Sequence, residues 1–102
     1  MKIFVVLTDM MGGPHFVGAD RNMATALDRK ASCNQGANKR VMETNVIGEL
    51  SDPNVVYIAE RLERSLDVFH FDGVYGNYEA ATGSAGDKRN ALRYELNREE
   101  RR

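Results

Sequence analysis

Phe69-His70-Phe71-Asp72-Gly73-Val74-Tyr75-Gly76-Asn77-Tyr78-Glu79-Ala80-Ala81 decides how this chain is read, because the stretch from Pro14 to Ala26 repeats it. An offset of 55 positions lays His15, Phe16, Gly18, Asn22 and Ala26 on His70, Phe71, Gly73, Asn77 and Ala81 without a gap. The same offset places Ile3 on Ile58 and Leu7 on Leu62. Self-similarity at a fixed spacing is read before any other pattern, since it sets the architecture. We therefore read an internal duplication in one domain, with pseudo-repeats over 1–50 and 55–102. Ser51, Asp52, Pro53 and Asn54 form the turn cluster between them, where Pro53 offers no N–H to a ladder.

Working outward, Lys2 to Thr8 is an apolar run rich in β-branched and aromatic side chains and predicts a central strand. Gly12 and Gly13 supply the backbone freedom of a hairpin, and Pro14 to Asp20 reads as the second strand. Period-two geometry puts Phe16 and Gly18 on one face, with His15, Val17 and Ala19 on the other. Asn22 predicts a helix N-cap, and Met23, Ala26 and Leu27 follow helical spacing up to the polar stretch from Asn34 to Arg40. Val41 to Leu50 alternates as a strand. In the second half, Val55 to Arg61 and Val68 to Tyr75 predict strands. By the same alternation Phe69, Phe71, Gly73 and Tyr75 share a face opposite Val68, His70, Asp72 and Val74. Asn77 predicts a cap for a short helix over Tyr78–Thr82, and Asp87 to Arg102 reads as a polar helix with Leu92 and Leu96 as its narrow apolar stripe.

These elements predict an α+β fold: internally duplicated β-β-α(-β) units forming an antiparallel sheet of four to six strands, with helices packed on one face. The opposite face, carrying Val17, Ala19, Val68 and Val74, then needs a cover. The C-terminal helix or a second subunit would supply it, which makes a homodimer one expectation.

With 102 residues, 42% of them apolar and 28% charged, the chain suffices for one core without metal or disulfide support. The single cysteine, Cys33, has no internal disulfide partner, as expected in a reducing compartment. The opening apolar run is too short to cross a membrane, so the expected location is cytoplasmic, with no membrane partner. A net charge of −1 provides no global attraction for nucleic acid. Arg29, Lys30, Lys39 and Arg40 form one local basic group and Lys88, Arg89 and Arg93 another, the latter offset by Glu95, Glu99 and Glu100.

The apolar strand, Gly-rich hairpin, strand end Gly73-Val74-Tyr75 and Ala-bearing helix after Asn77 resemble small β-β-α-β domains of uncharacterised bacteriophage and bacterial proteins. The second half carries the resemblance more fully, since Gly18-Ala19-Asp20 replaces the Gly-Val-aromatic ending in the first. The resemblance implies a phage origin and a host-directed role, and it brings no catalytic residues.

His15 and His70 are the only histidines and, with Asp72, suggest a metal or acid–base constellation; the alternative is one surface histidine copied twice. Cys33 lies near Arg29 and Lys30, yet a helix C-terminus disfavours a thiolate. Gly12 and Gly13 lack phosphate-loop or dinucleotide spacing. Met10 and Met11 offer adaptable thioethers at a hairpin tip, the other reading being that one tucks into the core. Tyr57, Phe69, Tyr75 and Tyr78 suit either a partner-binding patch or the core. The sequence thus points to a non-enzymatic protein-binding module without cofactor, an inhibitor or regulator of a host protein, through Met10, Met11, His15, His70, Asp72, Tyr75 and Tyr78. Alternatives are a small-ligand or metal-binding protein using the His15 and His70 face, and a weak nucleic-acid binder.

Overall fold

In the computed structural model, which describes residues 1–10, 13–32, 38–63, 68–83 and 89–96, the apolar opening run forms β1 (Lys2–Met10). It pairs antiparallel with β2 (Gly13–Asp20) on one side and with β3 (Lys39–Asn45) on the other. Helix α1 (Met23–Ser32) crosses between β2 and β3. The second half repeats the order: β4 (Val55–Glu63) is central between β5 (Val68–Tyr75) and β6 (Arg89–Glu95), with α2 (Tyr78–Gly83) between β5 and β6. The described residues therefore form two antiparallel three-stranded sheets, β2-β1-β3 and β5-β4-β6, in place of the single sheet expected from the sequence pattern.

The two sheets cover each other. Ile3, Val5, Leu7 and Ala19 from the first meet Val56, Ile58, Phe71, Val74 and Leu96 from the second in one hydrophobic cluster. Six branched aliphatic side chains in it, Ile3, Val5, Leu7, Val56, Ile58 and Val74, are fully buried, each contributing about 1.5–3 kcal/mol of transfer free energy. Phe16 and Phe71 stack with ring centroids 6.3 Å apart, and Tyr94 meets Phe16 edge-on at 5.2 Å. Each helix lies against the outer face of its own sheet, where Ala26 and Ala81 are fully buried. The face opposite the helices, for which the sequence pattern calls for the C-terminal helix or a second subunit, is thus covered by the other half of the same chain.

A bulge in each hairpin corrects the expected facing of residues. Val6 pairs with Gly18 but Leu7 with Phe16, so Val17 is the extra residue; Ala59 pairs with Gly73 but Glu60 with Phe71, so Asp72 is. An extra residue reverses the alternation beyond it. Phe16 and Ala19 therefore both point inward, as do Phe71 and Val74, while Gly18 and Gly73 face the helices. The bulges also correct the alignment of the first strands: Val5 and Val6 correspond to Ile58 and Ala59, so Ile3 matches Val56, not Ile58. The connection after β4 spans positions 64–67, two residues longer than positions 11–12 after β1, and absorbs the difference.

The region read as a C-terminal helix contains β6 instead. Leu92 and Leu96 are one helical turn apart, but β4 has an open side, and ladder pairing from Val55↔Glu95 to Arg61↔Arg89 overrides helix propensity. Likewise β3 ends at Asn45, short of the expected Leu50. Beyond it the linker straps onto β5: the Ile47 N–H donates to the Val74 carbonyl at 3.0 Å, and the Gly76 N–H to the Ile47 carbonyl at 2.8 Å. Gly48 takes φ of 85° to make this turn, a conformation that glycine adopts without steric cost.

Both helix caps form as expected, Asn22 Oδ1 accepting from the Thr25 N–H and Asn77 Oδ1 from the Ala80 N–H, each at 2.8 Å. Asn77 Nδ2 also donates to the Glu49 carbonyl at 2.8 Å, so one residue caps α2 and clips the linker. At the linker's far end Arg21 donates to the Pro53 carbonyl and to Asn54 Oδ1. On the outer face of the first sheet, Asp20 is fully buried and accepts two hydrogen bonds from Arg29, at 2.8 and 2.9 Å. The Arg29 side chain lies over Gly18, where a Cβ would stand 2.4 Å from its Cδ.

Two stability predictions follow from these contacts. Arg29→Ala strands the buried Asp20 carboxylate and lowers the unfolding free energy in urea by about 3–5 kcal/mol, whereas Asp20→Asn with Arg29→Met loses less. Gly76→Ala sets a Cβ 2.6 Å from the Glu49 carbonyl oxygen and costs about 1–3 kcal/mol in the same assay.

Candidate functional site

Helix α2 has six residues against ten in α1, so it screens less of the sheet beneath it. The outer face of the second sheet carries three successive cross-strand rows: Tyr75-Tyr57-Arg93, Gly73-Ala59-Ala91 and His70-Arg61-Arg89. Small residues in the middle row let the Tyr75 ring fold inward, its Cε1 only 3.3 Å from where a Gly73 Cβ would stand. Tyr78, at the start of α2, is 56% exposed and meets Tyr57 edge-on at 6.0 Å. Arg61 lies 3.7 Å from Asp72, whose place at the bulge turns it to the same side. At the far edge Arg93 Nη1 donates to Glu95 at 3.0 Å, and this bond holds the exposed guanidinium pKa above its ordinary value.

Of the residues singled out from the sequence, this face gathers His70, Asp72, Tyr75 and Tyr78. His15 lies elsewhere, on the outer face of the first sheet, opposite Thr8. The two histidines project from opposite sides of the paired sheets, and among the described residues no three His, Cys, Asp or Glu side chains converge as metal ligands. The His15 and His70 site therefore lacks the convergence that a shared metal requires. Met11 and Cys33 lie outside the described residues, and Met10 and Phe69 are described only as strand positions. Met23 and Leu27, expected with Ala26 on the packed side of α1, are exposed.

Sequence reasoning missed Arg61 and took Arg93 only as part of a basic group with Lys88 and Arg89; the ladders place both beside the tyrosines. Cross-strand register was the missing signal. The first basic group is largely spent on partners: Arg29 binds Asp20, and Arg40 Nε lies 3.1 Å from Asp9. A groove of about 420 Å³ lies beside Thr25, Asp28, Arg29 and Ser32 of α1, and the Ser32 hydroxyl there is turned onto the Asp28 carbonyl. Among the described residues no helix is long and apolar enough to cross a membrane.

On the first sheet the corresponding row is His15-Thr8-Lys39. Thr8 is buried, and its hydroxyl has no hydrogen-bond partner among the described residues. Comparison with protein-family models, curated protein sequences and solved structures finds no match to this chain.

A desolvated hydroxyl with no acceptor costs about 1–3 kcal/mol. Thr8→Val accordingly raises the unfolding free energy by about 1 kcal/mol, read as a higher urea midpoint at unchanged slope.

Proposed function

We propose that this chain is a non-enzymatic protein-binding module that meets its partner with the outer face of the second sheet. The observation that carries the reading is the gathering of Tyr57, Tyr75, Tyr78, Arg61 and Arg93 on one incompletely covered surface. Tyrosine and arginine are the side chains that most often supply binding energy at protein interfaces, since both bury large area and keep directional hydrogen bonds. The ion pairs Arg61–Asp72 and Arg93–Glu95 hold the guanidinium groups in place, so less side-chain freedom is lost on docking.

The matched topology of the halves, with bulges at Val17 and Asp72 and caps at Asn22 and Asn77, supports descent from one doubled ββαβ unit. In that history the two copies diverged where α2 shortened, which opened the second outer face and left the first covered by α1. The resemblance to small phage and bacterial domains extends the proposal to a phage-encoded inhibitor or regulator acting on a host protein in the host cytoplasm.

The test uses the full chain immobilised as bait in a bacterial lysate, with bound protein identified by mass spectrometry and then titrated in purified form. Tyr78→Ala with Arg61→Glu weakens that binding at least about tenfold, equivalent to about 1.4 kcal/mol, while Lys2→Ala on the opposite sheet leaves it unchanged. Equal binding by all three proteins excludes this face.

A further inference from the structure

The geometry points to a second function for the second sheet, at its open edge and not across its outer face: the β6 edge is a self-pairing strand that joins a second copy of this chain. Strand β6 is the outer member of the order β5-β4-β6, and among the described residues no strand lies on its other side. Over Arg89–Glu95 it contains no Gly or Pro, and its ladder with β4 runs without a register shift. Folds protect open edges by such devices because an unpaired row of N–H and C=O groups is a template for another strand.

Leu92 marks the same edge. It pairs with the fully buried Ile58 and so belongs to the inner face, yet it is 46% exposed. Its counterpart in the first sheet, Met42 opposite Val5, packs against the core. The apolar inner face thus runs out at β6 with a leucine uncovered.

The sequence of β6 is its own antiparallel complement. Laid against itself about Leu92, it sets Leu92 on Leu92 of the second copy, Ala91 on Arg93, Asn90 on Tyr94, and Arg89 on Glu95. Two oppositely charged pairs then flank a leucine pair on the axis, and opposite charges directly across an antiparallel ladder are favourable. About Met42, β3 sets Lys39 on Asn45 and Val41 on Glu43; about Val41 it sets Lys39 on Glu43, but Glu43 is already paired with Lys2 at 3.0 Å and Met42 packs against the core, so β3 has no uncovered apolar residue to put on an axis. The complementarity selects β6, and a twofold axis through Leu92 closes the assembly at two chains, with a continuous sheet β5-β4-β6-β6-β4-β5.

Sedimentation equilibrium of the full chain over a concentration series tests this. The wild type passes from the mass of one chain to that of two. Glu95→Arg, which faces Arg89 of the second copy with a like charge, moves the transition to about tenfold higher concentration. Arg89→Glu combined with Glu95→Arg restores it, an outcome that loss of the in-chain Arg93–Glu95 contact does not produce. Leu92→Lys, at a position already half in solvent, keeps the wild-type circular dichroism and thermal midpoint and stays a single chain throughout. A wild type that remains one chain at every concentration overturns the inference, and so does a dimer indifferent to Glu95→Arg or one not restored by the double exchange.

Discussion

Neither sheet can hide its inner face alone, and the rest of the structure depends on that constraint. Each has three strands, and its helix already occupies the outer side. Ile3, Val5 and Leu7 leave water only when Val56, Ile58 and Val74 arrive opposite them. A domain is two or three layers closed around one core. Here the central pair of layers comes from different halves, so removing either half returns the other's apolar face to solvent.

The bulges at Val17 and Asp72 reconcile that core with the helices. In an unbroken strand, Phe16 and Ala19 fall on opposite sides, and one of two apolar residues is lost to the core. One extra residue brings both inward and leaves Gly18 facing the helix, where its missing side chain makes room for Arg29. The second half solves the same problem with Gly73 beneath Tyr75. The two halves share backbone geometry and diverge in what fills the space over the glycine: a buried ion pair in one, an aromatic ring in the other. That difference accompanies a ten-residue helix over the first outer face and a six-residue helix over the second.

Local signals made much of the fold readable. The apolar run of β1, the strands β2, β4 and β5, and the Asn22 and Asn77 caps each announce themselves over a few residues. The parts that escaped depend on contacts distant in sequence. Strand β6 sits in a stretch rich in helix formers and becomes a strand through pairing with β4, so the i, i+4 spacing of Leu92 and Leu96 misdirects. A bulge has no reliable sequence mark, which is why alternation sets Phe16 and Phe71 on the helix side with Gly18 and Gly73, whereas both rings face the core. Whether β2 and β5 join edge to edge or meet across a core is equally silent in an alternating pattern, and so one sheet was expected where there are two. At the candidate site Tyr75, Tyr78, His70 and Asp72 were visible as residue types, but their grouping with Arg61 and Arg93 needed the ladder register. The Asp20–Arg29 pair had only an indirect trace, the Gly18 that leaves it room.

The linker from Val46 to Asn54 is held at both ends, by Gly76 and Asn77 between β5 and α2 and by Arg21 after β2. At the position equivalent to Gly76 the first half has Arg21, whose side chain would exclude a strap of the same kind, so the tie exists in one direction only. A chain made from its N-terminus completes β1, β2 and β3 before the residues that grip the linker have been synthesised. During that interval Ile3, Val5, Leu7 and Ala19 lack the cover that Val56, Ile58, Phe71 and Val74 give them in the finished fold. The burden of avoiding premature association therefore falls on the N-terminal half alone.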